Sequence, residues 1–166
     1  MKQKKICLLG GFAVGKTSLV RRLVSGLFSE KYLTTIGVKI DQKMVTIHDH
    51  SLLLVLWDLY GDDDYQKVRA SYLQGSSGYI LVIDGTRPET IDVAIRLHQT
   101  ARQVVGTVPY VLLLNKHDLA EDWKVDPATL GELSRQACLV AKVSAKTGDG
   151  VEAAFSALAE AMLNVS

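Results

Sequence analysis

One stretch near the start of this chain constrains its fold more than any other. A short apolar run, Ile6 to Leu9, opens directly into Gly10-Gly11-Phe12-Ala13-Val14-Gly15-Lys16-Thr17, and Leu19, Val20, Leu23, Val24 and Leu27 then recur at helical spacing. A buried strand, a glycine-bounded turn and an amphipathic helix in that order form one unit of a layered α/β structure. The turn satisfies G-x-x-x-x-G-K-[ST] in the strand-to-helix setting that gives the pattern meaning. Gly10 and Gly15 let the backbone turn so that successive N–H groups face one anion. The helix N-terminus that follows, running through Ser18, adds its own unpaired donors and its dipole. Lys16 is suited to neutralise the β and γ phosphates of a nucleotide, and the Thr17 hydroxyl to ligate Mg²⁺. A plain glycine-rich turn with a surface lysine is the competing reading, and the flanking elements weigh against it. The loop alone does not choose between ATP and GTP.

The rest of the chain repeats the same alternation. Val38 to Ile47 and Leu52 to Trp57 are apolar-rich runs joined by His48-Asp49-His50-Ser51. That connection is too short for a crossover helix and predicts an antiparallel hairpin. Tyr79 to Ile83 and Val111 to Leu114 are continuously apolar, as strands covered on both faces must be. Between them Ile91, Ala94, Ile95, His98, Ala101 and Val105 make a helical stripe. Asp126-Pro127 reads as an N-cap with proline at the first helical position, leading a helix through Leu130, Leu133 and Ala137. Leu139 to Val143 supplies a last strand, and Val151, Ala154, Phe155, Leu158 and Met162 a closing helix. The prediction is one domain over residues 1–166: a mostly parallel sheet of about six strands with helices on both faces.

The base is chosen after the strand that ends at Leu114, by Asn115-Lys116-His117-Asp118. An ionised Asp118 offers only acceptors, which match the N1–H and N2–H₂ donors of guanine. Adenine lacks that donor pair and would leave a buried carboxylate unpaired, a mismatch that can discriminate by about 10⁴-fold. The stem of Lys116 can lie against the base plane, and Asn115 can tie this loop to the phosphate loop. Ser144-Ala145-Lys146, after the last strand, brings the Ala145 N–H toward guanine O6. A solvated loop is the bland alternative for each segment alone; their order at successive strand ends favours the joint reading.

Composition excludes several other classes. The net charge is +1 with acidic and basic residues interspersed, which gives no case for nucleic acid or a membrane surface. The two cysteines, Cys7 and Cys138, each lie in an apolar run and read as buried reduced thiols. The four histidines have no metal-ligand spacing, and no G-x-S-x-G elbow occurs. Arg21, Arg22, Arg96 and Arg102 read as solvated helix faces. With no signal peptide, spanning segment or prenylatable cysteine in Leu163-Asn164-Val165-Ser166, the chain is expected to be cytoplasmic without a membrane anchor of its own.

With these motifs in view, the chain resembles the Ras superfamily of small GTPases over essentially its whole length, and its Rab branch most. Trp57-Asp58-Leu59-Tyr60-Gly61 resembles the family's W-D-x-x-G segment, and Thr34-Thr35-Ile36-Gly37-Val38 its T-I-G-V switch. The resemblance implies a Ras-like G domain with six strands, one of them antiparallel, and about five flanking helices. It implies a nucleotide site made of Gly11, Phe12, Ala13, Val14, Gly15, Lys16, Thr17, Ser18, Phe28, Thr35, Gly61, Asn115, Lys116, Asp118, Ser144, Ala145 and Lys146. By the same resemblance Mg²⁺ is reached by Thr17 and Thr35 directly and by Asp58 through water. The Gly61 amide bonds the γ phosphate, and Phe28 lies against guanine. Ile40, Trp57 and Tyr72 match a hydrophobic triad that faces protein effectors and regulators; core packing is the alternative for each alone.

Two positions depart from the family pattern. After Gly61, where a water-orienting glutamine is usual, stands Asp62, which can accept a hydrogen bond but not donate one when ionised. Phe12 replaces a small residue and should crowd an activator's arginine. With Lys16, Thr35, Gly61 and Asp62 as the catalytic group, the expectation is a GTP/GDP switch with slow GTP hydrolysis. The alternative is a nucleotide-locked GTP-binding module with negligible turnover. An ATP-using enzyme such as a small kinase is opposed by Asp118.

Overall fold

The computed structural model of the protein describes residues 2–26, 38–59 and 70–164. Its first unit is the strand β1 (Lys2–Gly10), the glycine loop, and helix α1 (Lys16–Ser25). A hairpin of β2 (Val38–Ile47) and β3 (His50–Leu59) follows. Then come the single turn α2 (Ala70–Leu73), β4 (Gly78–Asp84), α3 (Glu89–Val105) and β5 (Tyr110–Asn115). The chain continues through α4 (Glu132–Arg135) and β6 (Leu139–Lys142) to α5 (Val151–Asn164). The six strands lie in the order β2-β3-β1-β4-β5-β6. β2 runs antiparallel to β3, and every other pairing is parallel. This is the Ras-like G-domain architecture that the sequence implied.

Because successive strand residues point to opposite faces, each strand divides its apolar residues between two cores. Ile6, Leu8, Ile80, Val82, Val111 and Leu113 face Leu19, Val20, Phe155 and Leu158 of α1 and α5. Cys7, Leu9, Leu81, Ile83, Leu112 and Leu114 face Ile91, Ala94, Leu97 and Ala101 of α3. β4 and β5 are buried at every position, which is why their sequences are continuously apolar. β3 at the hairpin alternates instead between buried and half-buried residues.

The hairpin turn is tighter than expected. Ile47 pairs with His50, leaving only His48 and Asp49 between the strands. Both have positive φ, 48° and 67°, as a two-residue turn matched to strand twist requires.

The fourth helix is the larger correction. Asp126 caps as predicted, its side chain accepting from the Ala128 N–H at 3.0 Å, but it caps a 3₁₀ turn over Pro127–Thr129. Gly131, at φ 57° and ψ −133°, then breaks the chain direction, and α4 is a separate four-residue helix. Its position is held from the sheet by the Tyr110 hydroxyl, which donates to the Leu133 carbonyl at 2.7 Å.

Cys7 is buried as expected, but Cys138 is exposed. It stands just before the edge strand β6, whose own residues are half-buried or exposed.

Candidate functional site

The parallel strands deliver the loops after β1, β3, β4, β5 and β6 to one end of the sheet, where open α/β sheets bind ligands. At the centre is the loop from Gly10 to Gly15. No Cβ fits at Gly10, where it would lie 2.7 Å from the Val82 carbonyl oxygen and 2.8 Å from a Val14 methyl. Gly15 has φ 102°, and a Cβ there would meet Asn115 Nδ2 at 2.3 Å. Ala13 also adopts a positive φ, 64°. The loop's carbonyls are tied outward. Val14 O accepts from Asn115 Nδ2 at 2.9 Å, and Ala13 O from Lys116 Nζ at 3.0 Å. In a planar trans peptide the N–H points opposite to the C=O, so the Val14 and Gly15 N–H groups turn to the other side. That side is an anion nest.

Lys16, at 6% exposure, donates to the Gly10 and Gly11 carbonyls at 3.2 and 3.3 Å. Burial pushes its pKa down to about 8, against the pull of the nearby Asp58 carboxylate. A buried ammonium bonded to neutral carbonyls favours added negative charge, and a phosphate would supply it. Ser18 lies half-buried in the first turn of α1. Phe12 projects from the loop with half of its surface exposed.

Beside the loop, the Thr17 hydroxyl donates to Asp58 Oδ2 at 2.5 Å. Asp58 sits near the end of β3, in register with Leu8 of β1, and is buried. A hydroxyl and a carboxylate converging next to a phosphate nest are hard oxygen donors, and they suit Mg²⁺, which keeps water and phosphate oxygens as its other ligands.

The base loops are joined to this nest by Asn115, which is buried at the end of β5. Its amide reaches Val14 on one side, while its Oδ1 accepts from the Ala145 N–H at 3.2 Å on the other. The Ser144 hydroxyl donates to Asp118 Oδ1 at 2.7 Å and accepts from the Thr147 N–H at 3.1 Å. Asp118, Ala145 and Lys146 therefore share one corner. One expectation changes here. Asp118 is exposed, not buried, so its carboxylate loses water only when something covers it. Lys116, at φ 71°, sends its ammonium to Ala13 O and to Asp84 Oδ2 at 2.8 Å.

Asp84 was not foreseen, although a carboxylate at the end of a wholly apolar strand is a visible signal. It is completely buried and accepts from the Thr86 N–H and hydroxyl, Arg87 Nε and Lys116 Nζ, at 2.7 to 2.9 Å. Burial would raise its pKa, but the bonds from Lys116, Thr86 and Arg87 outweigh burial and hold it below the usual carboxylate range. Trp123 was also missed. Its ring covers Gly85, where a Cβ would approach within 2.0 Å, and meets His117 edge-on at 5.5 Å. Nor is Arg22 a solvated residue: Nε donates to Ala145 O at 2.9 Å and Nη2 to Lys146 O, bracing the base loop from α1. Arg102 likewise bonds Thr107 and Gln136 and lies over the Tyr110 ring.

Ile40 and Trp57 are cross-strand partners on β2 and β3, and Tyr72 meets Trp57 with ring centroids 6.3 Å apart. Ile40 is half exposed, whereas Trp57 and Tyr72 are half-buried and pack against the core on the α3 side of the sheet. Phe28, Thr35, Gly61 and Asp62 lie outside the described residues.

A glycine nest with a buried lysine, joined through one asparagine to a polar corner, defines a P-loop nucleotide-binding domain. Comparison with known proteins agrees. The model of the Ras family matches residues 5–164. Ras-related protein Rab-7b of Mus musculus is 34% identical over 164 residues, covering 96% of this chain and 82% of the relative. Ras-related protein Rab-1 of Theileria parva is 32% identical over 161 residues, covering 95% and 73%. The chain belongs to the Ras family and is a Rab-like small GTPase. It is thus a GTP-binding switch of a family whose regulators and effectors are proteins that engage its switch regions. Among the described residues no helix is long and apolar enough to cross a membrane.

Proposed function

We propose that this GTPase holds GTP or GDP across the loop from Gly11 to Ser18 and the corner formed by Asn115, Lys116, Asp118, Ser144, Ala145 and Lys146. The reading is carried above all by Asn115, whose one buried amide bonds both the phosphate loop and the Ala145 backbone. In this reading the base itself covers Asp118, whose carboxylate then accepts from guanine N1–H and N2–H₂. Mg²⁺ is held by Thr17, by Thr35 and, through water, by Asp58, and it offsets phosphate charge. Thr35 and the Gly61 amide sense the γ phosphate, Phe28 lies against the base, and protein partners read the state of the switches at Ile40, Trp57 and Tyr72.

Hydrolysis is slow in this reading. Asp62 adds negative charge beside the γ phosphate and lacks the donor that a glutamine amide offers. The exposed Phe12 ring leaves little room for an activator's arginine. Ras and Gα proteins hydrolyse GTP unaided at about 10⁻⁴ to 10⁻² s⁻¹, and this chain is expected at or below that range. Denaturing the purified protein and identifying the released base tests the ligand: guanine nucleotide supports the reading, adenine nucleotide refutes it. Phosphate release from GTP, followed over hours, tests turnover. Single-turnover hydrolysis at several per second by the protein alone would refute the slow switch, and no release at all would favour a nucleotide-locked module.

A further inference from the structure

We infer that Arg87 is a positioning residue for the phosphate loop, clamped by Asp84 so that its guanidinium turns the Phe12–Ala13 peptide into the nest. Arg87 Nε pairs with the buried Asp84 carboxylate at 2.9 Å, and Nη2 donates to the Phe12 carbonyl at 2.6 Å. A fork that binds a carboxylate and a carbonyl together has little freedom to rotate. Through the planar peptide, pulling the Phe12 oxygen outward directs the Ala13 N–H to the opposite side. Lys116 does the same for the next peptide and Asn115 for the one after. Three consecutive carbonyls are therefore held outward, and three consecutive N–H groups, of Ala13, Val14 and Gly15, face one way. Ala13 is not a glycine, yet it holds a positive φ, a conformation that costs a non-glycine residue free energy and needs external ties to persist. Asp84 serves both cations: Arg87 and Lys116 meet the same oxygen, Oδ2, at 2.9 and 2.8 Å. One buried carboxylate thus orders two adjacent peptides of the loop.

The inference rests on the proposed role of this loop in phosphate binding, and it predicts a loss confined to phosphate contacts. The test compares wild type, Arg87→Ala and Arg87→Lys by dissociation of fluorescently labelled GDP and by competition with GDP and GMP. About a third of the Arg87 side chain is exposed, so the effect belongs at the low end for a charge-assisted bond. Arg87→Ala is expected to speed GDP dissociation about tenfold and to weaken GDP more than GMP, which has fewer phosphates for the nest to hold. Arg87→Lys keeps the charge without the fork and should fall between the two. Should the alanine variant not fold, the lysine variant alone decides by the same comparison. Dissociation within twofold of wild type in a folded variant overturns the inference. So does an equal loss for GDP and GMP, or unchanged binding with a fall in single-turnover hydrolysis, which would put the guanidinium at the reacting phosphate instead. If wild type itself bound no GDP, the proposed function would be at fault and not the assignment of Arg87 alone.

Discussion

Replacing Asn115 with alanine removes a side chain that bonds both the phosphate loop and the Ala145 backbone, and the structure allows the cost to be worked out. Two groups lose their partner: the Val14 carbonyl, bonded at 2.9 Å, and the Ala145 N–H, bonded at 3.2 Å. Asn115, Val14 and Ala145 are all buried, so water does not readily replace the lost amide. Each orphaned buried group costs about 1–3 kcal/mol. The longer bond at Ala145 argues for the lower part of that range, giving about 2–4 kcal/mol in total. Urea unfolding of the nucleotide-free protein should show that loss directly. Nucleotide binding then requires two loops to be aligned that have lost one of their links, the Lys116 bond to Ala13 O remaining. If half of the loss reappears there, GDP dissociates roughly 5- to 30-fold faster, at about 1.4 kcal/mol per tenfold. Asn115→Asp sharpens the test. It keeps an acceptor for the Ala145 N–H but sets a carboxylate oxygen against the Val14 carbonyl, so it should bind no better than the alanine variant. An alanine variant within about 0.5 kcal/mol of wild type, with unchanged GDP dissociation, would refute the claim that this amide couples the loops.

Other outcomes follow from the same geometry. Lys16 titrates near 8 in the unliganded fold, and a bound phosphate raises that value, so binding takes up a proton above about pH 8. GDP affinity should fall with rising pH beyond 8, by up to tenfold per unit, and calorimetry in buffers of different ionisation enthalpy should detect the proton; a flat profile to pH 9.5 contradicts this. Without ligand the sign reverses: the unfolded chain holds the Lys16 proton more tightly, so this residue's contribution to stability rises between pH 8 and 10.5. Gly85→Ala drives a methyl into the Trp123 ring and should destabilise the fold by about 1–3 kcal/mol while changing tryptophan emission. Emission unchanged from wild type, with Trp123→Phe as the reference for the Trp57 signal, would show that the ring does not cover that glycine.

The parts of this architecture that could be read in advance are those where one residue type has one physical use. Tyr79 to Ile83 and Val111 to Leu114 had to be central strands because no solvent-facing element is apolar at every position. Gly15 had to be glycine because its φ of 102° and the Asn115 amide at 2.3 Å exclude a side chain. The fourth helix misled because Leu130, Leu133 and Ala137 keep helical spacing straight across Gly131, and periodicity does not register a single reversal of chain direction. Asp84 and Arg22 escaped for a different reason. Each acts at least in part through a partner far off in sequence, Lys116 for the one and the 145–146 backbone for the other, which the sheet order brings near. Asp118 was assigned to the base corner from its motif alone, but its exposure could not be read from the motif, because burial there depends on what the corner holds.

The base corner also offers the most direct test of the whole account. Xanthine carries a carbonyl at C2 where guanine has an amino group, so its edge presents one donor and one acceptor. Asparagine offers that same complement, whereas an ionised aspartate offers acceptors only. In Asp118→Asn the preference for GDP over xanthosine diphosphate, measured by competition, should fall by about 10³-fold or more. A variant that still chose GDP by the wild-type margin would mean that the carboxylate held by Ser144 does not read the base.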